Sequence, residues 1–169
     1  MKRKFFLVFS FVLFLFHGLF AQNNIKYQAL FVYNFTRYIE WPSTGSSEFV
    51  IGVVGKSNIY DELQSVTQGK LVGSQFIKVK KVQNINEMGF CNILFISSEI
   101  SSQVPQLASQ IKDNNTLIIT ERSGLINKGA GINFVINEGK QKFEISKLNL
   151  EKRGLKVNKQ LVDMAISND

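Results

Sequence analysis

The stretch Ile51–Ser57, IGVVGKS, brings a glycine, a lysine and a serine together at the end of an apolar run. Those residue types suit phosphate binding, because backbone amides at a helix start, helped by a lysine, hold an anion. The spacing does not complete a nucleotide loop. A Walker A loop places a glycine five positions before the glycine of Gly-Lys-Ser, and Val50 stands there. Gly52 and Gly55 are also too far apart to open a dinucleotide fingerprint. What remains is a strand-to-helix turn whose Gly55, Lys56 and Ser57 offer contacts to an anion or small ligand.

Other chemistries find fewer residues. The single histidine, His17, lies in the apolar N-terminal segment, so downstream of it a Ser-His-Asp or Cys-His pair has no base. One cysteine, Cys91, and no downstream histidine make a poor zinc set. Cys91 has no partner for an internal disulfide, and within FCNILFIS it reads as a small buried hydrophobe. Asp61, Glu62, Asp113 and Glu121 fall near expected element ends, where paired carboxylates serve glycosidases. Acids scattered along a chain are more often surface charge, and the expectation is a non-enzymatic protein without cofactor or metal.

The chain opens with the basic Lys2, Arg3 and Lys4, then the almost unbroken apolar run Phe5–Phe16, then Ala21 before a polar stretch. That layout predicts a secretory signal peptide over 1–21, although Leu19 stands where cleavage prefers a small residue. No cysteine follows directly to take a lipid. Export to the periplasm is expected, with residues 22–169 as one domain. Removing the three basic residues of the leader lowers the formal charge from +7 to +4. The densest basic run, Lys78–Lys81, reads as a solvated strand face, and nucleic acid is not an expected partner.

The elements that must position these residues follow from periodicity. Residues 25–40 predict a helix burying Tyr27, Phe31, Val32, Phe35, Tyr38 and Ile39, ended by Pro42. Glu48–Val54 predicts an interior strand, and Ser57 caps a helix through about Thr67. Strands follow at 76–82, 92–97 and 116–120, with helical segments near Asn86 and from Ser101 or Ser102 to about Lys112. Alternating residues around Asn137-Glu138-Gly139 predict a hairpin, and two helices, the second capped by Asn158, close the chain. The expected fold is α/β, three-layered, with about five to six mostly parallel strands flanked by helices and a C-terminal antiparallel hairpin. Leu30, Tyr33 and Arg37 point away from the predicted buried side of the first helix, beside Trp41. Trp41 either plugs the core at the helix end or, with those three, anchors a partner.

These segments resemble a known family. YNFTRYIEWP (Tyr33–Pro42) resembles the opening helix of the YfiR family, DUF4154, and CNILFIS (Cys91–Ser97) its central strand. KGAGINFVINEGKQKFEI (Lys128–Ile145) is similar to its glycine-rich hairpin, and LNLEKRGLKVNKQLVDMA (Leu148–Ala165) to its closing helices. The resemblance implies a periplasmic α/β domain that binds the periplasmic part of a membrane signalling protein, above all a diguanylate cyclase, and so lowers cyclic di-GMP and biofilm formation. It also implies an outer-membrane lipoprotein as a second partner, while a homodimer is a separate possibility. The alternative is a periplasmic small-molecule sensor or carrier feeding a membrane receptor such as a histidine kinase. Two features depart from the family pattern. Ala130 separates Gly129 and Gly131 where two glycines usually stand together, and Cys91 lacks the partner that some members supply.

Overall fold

A computed structural model of the chain describes residues 24–83, 89–111 and 115–166. The expected signal peptide, the helical segment near Asn86, and Lys112 and Asp113 lie outside the described residues.

Helix α1, residues 24–38, opens the described chain. After it come β1 (Ile39–Glu40), β2 (Glu48–Val54), α2 (Ile59–Thr67), β3 (Leu71–Val72), β4 (Gln75–Val82) and β5 (Ile93–Ile96). A 3₁₀ turn, Ser98–Gln103, leads into α3 (Val104–Gln110) and β6 (Leu117–Thr120). A shorter turn, Ile126–Lys128, precedes β7 (Ile132–Asn137), β8 (Lys140–Ile145), α4 (Lys147–Glu151), β9 (Lys156–Val157) and α5 (Lys159–Met164).

The main sheet has seven strands in the order β3-β4-β2-β5-β6-β7-β8. The pairs β4–β2, β2–β5, β5–β6 and β6–β7 are parallel, while β3 and β8 add antiparallel edges. Counting only the parallel strands in chain order gives 2-1-3-4-5, a doubly wound arrangement whose order reverses between β2 and β5. The alternation of strand and helix, and the hairpin, match the sequence expectation. The strand count does not: the sheet has seven strands instead of five to six, and β1 and β9 form a separate antiparallel pair. Two-residue strands carry no periodicity, so β1, β3 and β9 leave no signal in the sequence.

The two faces of the sheet are covered unequally. One face packs Phe49, Ile51, Val53, Ile93, Phe95, Ile119 and Phe134 against α1, α2 and the C-terminal helices. The other packs Val54, Leu94, Ile96 and Ile118 against Val104, Leu107 and Ile111 at α3. At the β3–β4 edge, Leu71 and Phe76 stay exposed, so the second helical layer is partial rather than the full layer expected.

Helix α1 is set down by aromatic contact. Phe35 meets Phe143 edge-on at 5.0 Å and stacks on Phe134 at 6.0 Å, and Phe31 meets Phe143 at 5.6 Å. Such pairs each add about 0.5–1.5 kcal/mol beyond the area they bury. The buried face is rotated from the expected one. Tyr27, expected inside, is 55% exposed, while Gln28 and Thr36 lie inside with Ala29, Val32 and Phe35. Counting only apolar residues misplaced the face because two polar side chains are buried. The Thr36 hydroxyl is satisfied locally, donating to the Tyr33 carbonyl at 2.6 Å. The helix ends at Tyr38, two residues short of the expected end, because Ile39 and Glu40 turn extended to pair with Val157 and Lys156.

Phe35→Ala is expected to cost about 3–5 kcal/mol by opening a cavity between α1 and the β7–β8 hairpin. Urea unfolding followed by circular dichroism checks this; a loss below about 1 kcal/mol would mean that α1 is held elsewhere.

Candidate functional site

In a doubly wound sheet, ligands bind outside the carboxyl ends of the strands at the point where strand order reverses. Here that point lies beyond Val54 and Ile96, and Gly55, Lys56 and Ser57 sit there. Gly55 takes φ +82°, and a Cβ on it would overlap the Ser97 hydroxyl. Ser97 is fully buried, and its Oγ has no protein partner. Lys56 is exposed, and the Ser57 hydroxyl accepts from Ile59 N at 3.3 Å, steadying the start of α2 from one residue before its N-cap.

The Ser98 amide, at the carboxyl end of β5, donates to the Glu121 carboxylate at 2.8 Å, so this one backbone amide is already taken by the protein.

The second group of expected residues is split. Leu30, Tyr33 and Arg37 follow one another at helical spacing on α1, with Leu30 38% exposed, Tyr33 half-buried and Arg37 exposed. Tyr27 joins Leu30 outside, three residues earlier. Trp41 does not share their situation. Its Nε1 donates to the Asn92 carbonyl at 3.0 Å, and its ring meets Phe49 edge-on at 5.0 Å. It lines a cleft of about 450 Å³ with Pro42, Phe49, Val72 and Gln75, at the amino end of β2.

Cys91 is fully buried against Gly52, whose added Cβ would lie 2.9 Å from the sulfur. Burial pushes its thiol above the ordinary range, and the Lys80 ammonium beside it opposes that shift. The basic run of β4 is divided among separate partners. Lys78 pairs with Glu48 at 2.9 Å, and Lys81 lies 4.4 Å over the Tyr60 ring. Among the described residues, no group of three or more His, Cys, Asp or Glu could hold a metal, and no helix is long and apolar enough to cross a membrane.

The YfiR/HmsC-like profile, DUF4154, matches residues 25–166. The chain belongs to the YfiR/HmsC-like family. That span takes in α1, the main sheet and both closing helices. Membership supports the coarse reading of a regulator in place of an enzyme. No curated protein matches the chain as a relative.

Sequence reasoning missed three residues of interest. Gln28 is 8% exposed inside the α1 face, Asn92 is 1% exposed at the start of β5, and Tyr27 is turned outward. For Gln28 a signal existed: a polar residue one step from Ala29 and four from Val32, within the arc that the apolar residues define.

Gly55→Ala is expected to destabilise the fold by about 1–3 kcal/mol, through both the positive φ and the overlap with Ser97. Adding Ser97→Ala should return part of that loss, since it removes the colliding oxygen; strictly additive losses in thermal melts would refute the contact. For Cys91, a raised thiol value means that folding favours the protonated form. Its contribution is complete below the ordinary thiol value of about 8.5 and fades as pH rises through the higher folded value. Stability should fall with alkaline pH more steeply in the wild type than in Cys91→Ala; parallel pH curves would show that the thiol is not the cause.

Proposed function

We propose that this protein is an exported, periplasmic regulator that binds and restrains a membrane-bound signalling protein, in the first instance a diguanylate cyclase. Family membership supports the regulatory class. The observation that carries the docking reading is the outer side of α1. Tyr27 and Leu30 are exposed there, with Tyr33 and Arg37 within two turns, on a helix whose inner side is pinned by Phe35. Tyrosine and arginine beside an apolar side chain on a rigid element are the residue types that dominate interface energetics. A pinned helix also loses little conformational freedom on binding, so more of the contact energy remains as affinity.

Restraint requires that the regulator bind the partner's inactive state more tightly than its active one. A preference of about 1.4 kcal/mol shifts the balance between the two states tenfold. Trp41 is committed to Asn92 and Phe49. A sensor reading is favoured by a separate cleft near Gln28, which is lined by both polar and apolar side chains.

Tagged protein incubated with detergent-solubilised membranes of its own source should retain one membrane signalling protein, and Leu30→Asp/Tyr33→Asp should lose it. Deleting the gene should raise cyclic di-GMP and surface attachment. Equal retention by the variant removes α1 from the interface, and an unchanged cyclic di-GMP level removes the cyclase.

A further inference from the structure

Beyond the docking reading, and independent of it, we propose that the cleft between the start of α1 and the β7–β8 hairpin binds a small primary amine. The cleft measures about 350 Å³ and is lined by Gln28, Gln141, Glu121, Ser123, Phe134 and Ile136, among others. It lies at the carboxyl edge of the sheet, where Glu121 directly follows β6. That edge is where open α/β sheets place their ligands, although this cleft stands two strands from the reversal point.

The hydrogen bonds fix its polarity. Gln141 Nε2 donates to the Val135 carbonyl at 3.0 Å and to the Lys142 carbonyl at 2.9 Å. The Gln141 amide therefore has one orientation, with Oε1 turned to Gln28. Gln28 Nε2 donates to that oxygen at 3.2 Å, which in turn fixes the Gln28 amide. An exchange of O and N in Gln28 would set two oxygens against each other. Gln28 Oε1 is thus an acceptor, shielded from solvent, with no protein donor. Buried acceptors of this kind cost stability until a donor reaches them.

The remaining lining agrees with a cationic donor. Among the described residues that line it, Glu121 is the only charged one and none is a lysine or arginine, in a chain with 20 basic and 13 acidic residues. Glu121 spends one oxygen, Oε1, on the Ser98 amide. An ammonium brings three donors and no acceptor, which suits a cleft lined by an amide with an unmet acceptor and by a carboxylate. Phe134, Val135 and the 56% exposed Ile136 supply an apolar wall for the body of the ligand. A carboxylate or phosphate ligand would meet the Glu121 carboxylate.

The test uses protein recovered after expression of the full chain, without membranes, so its outcome does not depend on the docking partner. Phenethylamine, 1,4-diaminobutane and agmatine are titrated by calorimetry, with 2-phenylethanol and 3-phenylpropionate as neutral and anionic matches to the first. At least one amine should bind saturably, and the matched acid should not bind. Glu121→Gln and Gln28→Leu should each weaken the amine about tenfold or more while far-ultraviolet dichroism stays unchanged. Glu121→Gln keeps the side-chain shape, so it reads the charge even if Gln28→Leu disturbs the fold. Absence of saturable binding by all three amines at millimolar concentration overturns the proposal. Equal binding of amine and alcohol, or wild-type affinity in Glu121→Gln, overturns it as well.

Discussion

Asn92 holds together the amino end of the sheet. Its side-chain oxygen accepts from Val50 N at 2.8 Å, and its own N–H donates to the Val50 carbonyl at 2.9 Å. Its carbonyl accepts from Leu117 N at 2.9 Å and from the Trp41 indole at 3.0 Å. One residue thus joins β2 to β5, β5 to β6, and the segment leaving α1 to all three. It is 1% exposed, so its own polar groups are withheld from water. Breaking the side-chain bond would leave Val50 N–H buried without a partner, a penalty of about 1–3 kcal/mol. With this corner fixed, Trp41 anchors the segment that leaves α1, and the phenylalanine cluster packs its inner face. The outer side of α1 is then a surface of settled shape before any partner arrives.

That order of causes explains which parts of the fold the sequence makes legible. Apolar runs such as Phe49–Val54 and Ile93–Ile96 announce interior strands because both faces of the sheet bury their residues. Ser146 and Asn158 announce helix starts, and their side chains accept from Asn149 N and Gln160 N. Pro105 falls in the first turn of α3 because only there is its missing N–H harmless. The pairs β1–β9 and β3–β4 are not legible, since two residues make no period and their partners are distant in sequence. The rotation of α1 is only partly legible: Gln28 lies within the arc of the apolar residues, but its partner Gln141 is 113 positions away.

The candidate surfaces divide in the same way. Leu30, Tyr33 and Arg37 could be read as outward because helical spacing alone orients them. Trp41 could not be assigned, since its choice between surface and support rests on a carbonyl 51 residues away. Gly55, Lys56 and Ser57 are legible as a strand-to-helix turn. That the turn lies at the strand-order reversal required the order of the strands, which no local pattern encodes.

The two ends of the sheet differ in how far their polar groups are satisfied. At the amino end, Asn92, Trp41 and Thr116 are bonded, with Thr116 Oγ1 donating to the Cys91 carbonyl at 2.7 Å. Arg153 is the exception there: it is buried, donates to the Asn149 and Ala108 carbonyls, and keeps an unpaired Nε. At the carboxyl end, Ser97 Oγ and Gln28 Oε1 are both buried without protein partners. A fold selected only for stability would pair such atoms or replace them with apolar ones, since either change relieves the cost of an unpaired buried group. Tolerated local cost of this kind concentrates where a protein acts on something outside itself. The amino end therefore reads as the part that holds the sheet, and the carboxyl end as the part left open to a ligand. The outer face of α1 runs between the two. A ligand seated against Gln28 would touch the same helix that presents Tyr27 and Leu30 on its outer side.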